Sequence, residues 1–167
     1  MEIKKTTHLV ETFYKAELPD PKGAELLARL KAFGSLSAKE VRSGSLYEIG
    51  GGASAEQIGR IASEFLADPV SQGWRLIPEH PAGQDGLREH WRVEAWPQDG
   101  FRERAGAILT AALRQAGHRP TLCVRVGDVY RVAANYHKTQ VENAFLRVLV
   151  SSRTHSLKVV AEAPWRL

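Results

Sequence analysis

The chain is poor in several residue types, and each shortage removes a class of explanation. Its single cysteine, Cys123, leaves no intrachain disulfide and no multi-cysteine zinc site. The six histidines are scattered and no two stand four apart on a predicted helix, so the paired-histidine metal motif is missing. No apolar run approaches the ~20 residues that cross a bilayer. The opening segment MEIKKTTHLVETF has no apolar core of the signal-peptide kind. These features predict a soluble cytoplasmic protein with no membrane partner.

Catalytic signatures are also scarce. There is no GxSxG, HExxH, GxGxxG or GK[ST]. Cys123 falls in a predicted strand beside Val124 and reads as an inert, buried thiol. The turn Gly50-Gly51-Gly52-Ala53-Ser54 leads into a helix, but its form suits a flexible turn before a capped helix better than a phosphate cradle. Glu17 and Asp20 flank a turn, and capping accounts for Asp20 better than acid–base work.

What is present is an ordinary globular composition, 43% hydrophobic and 25% charged. Charge is uneven. Residues 1–80 carry ten Lys/Arg against eleven Asp/Glu, and residues 81–167 carry thirteen against eight. The basic second half would attract phosphate or an acidic surface, although no Lys/Arg cluster of the nucleic-acid type occurs.

The chain also repeats itself. VRSGSLYEIGG from Val41 aligns with VRVGDVYRVAA from Val124 at an offset of 83 residues. Without a gap, that offset also matches Val10/Val93, Glu11/Glu94, Gly23/Gly106, Leu26/Leu109, Leu30/Leu113, Gly34/Gly117, Gln57/Gln140, Leu66/Leu149 and Glu79/Glu162. A register kept over so many blocks marks a duplicated module. The expected organisation is module 1 over residues 1–80, a polar linker over 81–90 and a diverged module 2 over 91–167.

Each module reads as β-α-β(β)-α-β. A strand at Leu9–Lys15 has its copy at Trp91–Trp96. A helix starts at Asp20-Pro21-Lys22-Gly23, with Asp as cap and Pro at the first helical position, and stops at Gly34. Its copy runs from about Glu103 to Gly117. Val124, Val126, Tyr130 and Val132 share one strand parity and hence one sheet face. Gly44 and Gly127 interrupt the middle strands, where a bulge, or a bend sharp enough to make a hairpin, is expected. Ser54-Ala55-Glu56-Gln57 opens a second helix with a capping-box pattern. Closing strands are predicted at Trp74–Ile77 and Leu157–Ala161. The fold class is therefore α+β, with antiparallel sheets covered by helices on one face. Two such modules can hide their bare faces against each other as a pseudo-twofold dimer in one chain.

Arg42 and Arg125 recur at equivalent positions and should point away from the valine-bearing face. They suit a salt bridge across an interface or a phosphate contact, and equally an exposed strand arginine. Trp74, Trp91, Trp96 and Trp165 lie in or near strands, where packing is the usual role.

Three motifs in the first module resemble, in order and spacing, the PurS family, the small subunit of phosphoribosylformylglycinamidine synthase. They are Asp20-Pro21-Lys22-Gly23, then Glu40-Val41-Arg42-Ser43-Gly44 with Glu48, then Leu66-Ala67-Asp68-Pro69-Val70 before Trp74-Arg75. The second module keeps Val124-Arg125-Val126-Gly127. It replaces the DPxG start with Glu103-Arg104-Ala105-Gly106, Asp68-Pro69 with Ser151-Ser152, and Glu48 with Arg131. The resemblance implies a non-catalytic assembly subunit in purine biosynthesis. Such a subunit bridges a glutaminase and an ATP-dependent synthetase, and assists ammonia transfer. ATP, Mg and glutamine would be used by those partners, with no cofactor or catalytic residue in this chain. The implied partner-interface residues are Asp20, Gly23, Arg42, Gly44, Tyr47, Glu48, Trp74, Arg75, Arg125, Gly127 and Tyr130, and further self-association fits the same picture. Two other readings remain open on the residues alone: a basic α+β nucleic-acid-binding protein, although no RRM-type aromatic–basic signature occurs, and a ferredoxin-like sensor of a small molecule.

Overall fold

The structure, a computed structural model, describes residues 6–78, 87–98, 104–119, 122–149 and 154–163. Of the expectations above, those on Glu79, most of the linker (81–86), Glu103, Ser151-Ser152 and Trp165 lie outside the described residues. The elements are β1 (His8–Tyr14), α1 (Pro21–Phe33), β2 (Glu40–Gly50), α2 (Ala55–Ile61), β3 (Gln72–Ile77), β4 (Leu87–Pro97), α3 (Arg104–Gln115), β5 (Cys123–His137), α4 (Lys138–Val148) and β6 (His155–Ala161). The six strands form one antiparallel sheet in the order β3-β1-β2-β5-β4-β6, and the protein is α+β.

Local chemistry sets the helix ends. The Asp20 carboxylate accepts from Gly23 N at 2.9 Å, and Pro21 opens α1. α1 stops at Gly34, yet the left-handed residue is Ser35, at φ 56°. Gly34 is needed for space, since a Cβ there would lie 2.9 Å from Leu30 O. α2 begins where Ser54 Oγ accepts from Gln57 N at 3.2 Å, and it continues as one wider π turn, Ala62–Leu66. Gln140 Oε1 accepts from His137 N at 3.0 Å at the start of α4.

The middle strands correct the expected break. β2 and β5 run through Gly44 and Gly127 without a hairpin or bulge and pair continuously from Glu40↔Ala133 to Gly50↔Cys123. The register shift falls instead in β4, between Arg88 and His90. Both glycines serve close approach. A Cβ on Gly44 would lie 2.5 Å from Thr12 O, and one on Gly127 would lie 2.9 Å from Ala95 O and 2.7 Å from the Trp96 ring.

The two halves do not stack their bare faces on each other. They join edge to edge through β2 and β5 into one sheet. β4 begins at Leu87, within the segment expected as linker. The cause lies in β5. β2 ends before Gly51 and Gly52, both at positive φ (114° and 77°), whereas β5 continues through Ala134 and Asn135 to His137. That extension supplies partners for Leu87 and Arg88.

All four helices cover the same face, and they build two cores. In one, Leu26 and Leu30 of α1 meet Val141 and Phe145 of α4 over Trp91, Val93 and Val132. In the other, Ile58 and Ile61 of α2 join Leu113 of α3 over Val10, Ile49 and Val124. Each core therefore mixes residues from before 78 and after 87. Among the described residues no helix is long and apolar enough to cross a membrane.

Candidate functional site on the helix-free face

Strand alternation sends Glu11, Leu46, Arg92, Glu94, Trp96, Val129 and Arg131 to the face away from the helices. No described helix lies there, yet Glu11, Arg92 and Glu94 are each 1% exposed and Arg131 is 6% exposed. Leu46, Ile77, Trp96 and Val129 form an apolar cluster on the same side. The charged residues pair with one another. Arg131 holds Glu11 through Nε at 2.9 Å and also through Nη2, and its Nη1 pairs with Glu162. Arg75 Nε donates to Glu11 at 2.8 Å. Arg92 donates to Glu94 at 3.0 Å and to Glu162 at 2.6 Å, while Trp96 Nε1 donates to Glu94 at 2.8 Å.

The network balances three carboxylates, Glu11, Glu94 and Glu162, against three guanidiniums, Arg75, Arg92 and Arg131. Such balance is what makes burial tolerable, because an isolated buried charge costs several kcal/mol. Burial tends to raise the Glu11 pKa, but the hydrogen bonds and charges of Arg131 and Arg75 outweigh it and hold the carboxyl below its ordinary value. Burial pulls the Arg92 and Arg131 guanidiniums down from theirs. Glu11, ionised at neutral pH and gripped from two sides, is a poor proton acceptor. The network's chemistry is that of a clamp.

Register explains how Arg131 reaches Glu11 although β2 lies between β5 and β1. Glu11 sits opposite Leu46 and Arg131 sits opposite Arg42. The diagonal joining them crosses β2 at Gly44, which has no side chain to obstruct it.

The structure distributes the predicted interface residues over both faces. Arg42, Glu48, Arg75 and Arg125 come to the helix-free face. Arg42 donates to Glu40 at 3.0 Å. Arg125 stacks over the Trp96 ring at 5.3 Å, approaches Glu48 at 3.6 Å and donates to Pro97 O at 3.2 Å. Tyr47, Trp74 and Tyr130 pack on the helix side. Trp74 would lie 3.4 Å from a Cβ on Gly59, and Tyr130 tilts against Phe145. Asp20 is engaged internally: besides capping α1, it accepts from Ser43 N and Ser43 Oγ, each at 2.6 Å. Gly23 lets α1 lie on β2, since a Cβ there would meet Val41 O at 2.6 Å. Gly44 and Gly127 pack as described above. Cys123 is exposed, which corrects the buried reading; it opens β5 opposite Gly50.

Sequence reasoning missed the network's centre. One available signal was Glu11/Glu94, an acid recurring inside an apolar strand at the repeat interval. The charge change from Glu48 to Arg131 was visible too, but its partner was not. No family model matches the chain, and no curated protein matches it.

Proposed function

We propose that the chain is a non-catalytic assembly subunit of the phosphoribosylformylglycinamidine synthase type, built as two fused PurS-like modules. It holds a glutaminase and an ATP-dependent synthetase together in the cytoplasm. The observation that carries this reading is the symmetry of the strand order. The repeat interval of 83 relates β1 to β4, β2 to β5 and β3 to β6, so β3-β1-β2-β5-β4-β6 reads the same from either end. At the centre of the β2–β5 ladder, Ser45 faces Asp128, its own counterpart at that interval. A twofold axis between these two residues would relate the halves, as in a dimer of identical small subunits made into one chain.

The clamp supports a scaffold role, because its three carboxylates are spent on its guanidiniums. The same burial weighs against RNA binding, since an RNA-binding sheet of this type offers aromatic rings on its open face for base stacking. Here Trp96 on that face is 8% exposed.

The test is reconstitution. The purified chain should co-elute with a glutaminase and a synthetase subunit in the presence of glutamine and Mg-ADP, and alone should neither hydrolyse glutamine nor consume ATP. Failure to co-elute under any such condition, or glutamine hydrolysis by the chain alone, would count decisively against this reading.

A further inference from the structure

The two halves offer each other similar apolar surfaces. Leu26 and Leu30 of α1 pack in one core, and their counterparts 83 residues on, Leu109 and Leu113 of α3, pack in the other. Ile58 of α2 and Val141 of α4 are related in the same way. Apolar packing therefore does little to stop either half from joining its own copy in a second molecule. The charges on β2 and β5 are not alike.

Arg42 and Arg125 are counterparts, but Glu48 is matched by Arg131. In the ladder Glu48 faces Arg125 and Arg42 faces Arg131. The first contact brings opposite charges to 3.6 Å. The second sets like charges opposite each other, and each arginine is relieved by its own acid: Arg42 donates to Glu40 and Arg131 to Glu11.

In the same register, β5 against β5 of another molecule would set Arg125 opposite Arg131 at two places and Asp128 opposite Asp128. Like charges directly opposite destabilise a strand pair. Relief is missing there. Cys123 stands where the first half has Glu40, and Glu94, the counterpart of Glu11, is already held by Arg92 and Trp96. For β2 against another β2 the ladder itself is favourable, since Arg42 would face Glu48 twice. However, Glu48 would then stand in the place of Arg131, and the buried Glu11 would lose the guanidinium that grips it through two nitrogens. A buried carboxylate deprived of its cation is strongly destabilising.

We infer that Arg131 selects the partner of both middle strands: it makes β2 and β5 prefer each other to second copies of themselves. The joint between the halves is thus heterotypic, and each half recognises the other by charge. The inference rests on the repeat and the β2–β5 register and holds whether or not the chain is an assembly subunit.

The experiment nicks the folded full chain at a protease site placed within residues 81–86, so that both halves stay present in equal amounts. The nicked protein is unfolded in urea and refolded, and the composition of its pairs is read by native mass spectrometry. Random pairing would make half of the pairs mixed. The wild type should give mixed pairs in at least about tenfold excess over like pairs. Glu11→Gln with Arg131→Met removes both charges of the selecting contact and should move the composition toward random. Arg125→Glu, at a half-exposed position, turns both Arg–Arg contacts between second halves into ion pairs. It should raise the ratio of second-half pairs to first-half pairs by about tenfold, with circular dichroism confirming the fold. Random composition or no pairing in the wild type overturns the inference whatever the variants do. So does a ratio unmoved by Arg125→Glu in a folded variant.

Discussion

Arg131 and Glu11, 120 residues apart in sequence, meet on the helix-free face with two guanidinium nitrogens on one carboxylate. The contact spans the whole width of β2 and ties the start of the chain to its second half.

Removing one member leaves the other charge buried. Arg131→Met should therefore destabilise by about 3–5 kcal/mol in urea unfolding. Glu11→Gln combined with Arg131→Met should recover part of that loss. A single-variant cost within the error of the method would show that the pair is solvated.

The same carboxylate gives the protein an acid limit. The folded-state pKa of Glu11 is held below its ordinary 4.5. Its contribution to stability is thus complete above that value and disappears as pH falls through the lower, folded value. Unfolding free energy followed downward from pH 6 should drop below pH 4.5, and less steeply in Glu11→Gln, which starts lower at neutral pH. Parallel curves for the two proteins would remove Glu11 from the account.

Leu30 and Leu113 are both fully buried, one in each core. Leu30→Ala and Leu113→Ala should each cost about 2–5 kcal/mol. Denaturant midpoints would report it, and a near-neutral result for either would mean that its helix face is not packed as described.

Gly44→Ala asks β2 to accept a methyl 2.5 Å from Thr12 O, and Gly127→Ala asks β5 to accept one against Ala95 O and the Trp96 ring. Overpacking of this kind typically costs about 1–3 kcal/mol, and here backbone rather than a flexible side chain must move. Amide exchange should quicken in β1 and β2 for the first variant and in β4 and β5 for the second. Unchanged protection in both would contradict the close approach.

Much of the local structure was legible in the residues. Asp20-Pro21 and Ser54 announced helix starts, and the repeat paired Leu30 with Leu113, both of which are buried. The parity of Val124, Val126, Tyr130 and Val132 placed them correctly on one face. The joining of the halves was not legible, because β2 and β5 offer backbone hydrogen bonds whose partners no side chain names. Gly44 and Gly127 misled for a related reason. A glycine in a strand signals either a bend or a near neighbour, and only the register reveals Thr12 and Ala95 beside them. The clamp was hidden because Arg92 and Arg131 resemble surface charges until Glu162 and Glu11 are brought across the sheet.

Since neither core is complete until residues on both sides of the middle of the chain exist, the order of synthesis matters. A ribosome adding roughly 5–20 residues per second will present α1 and α2 to the cell for several seconds before Leu113 and Phe145 arrive to cover them. During that interval β1, β2 and β3 have one another as partners, but the apolar faces of α1 and α2 lack the residues that cover them.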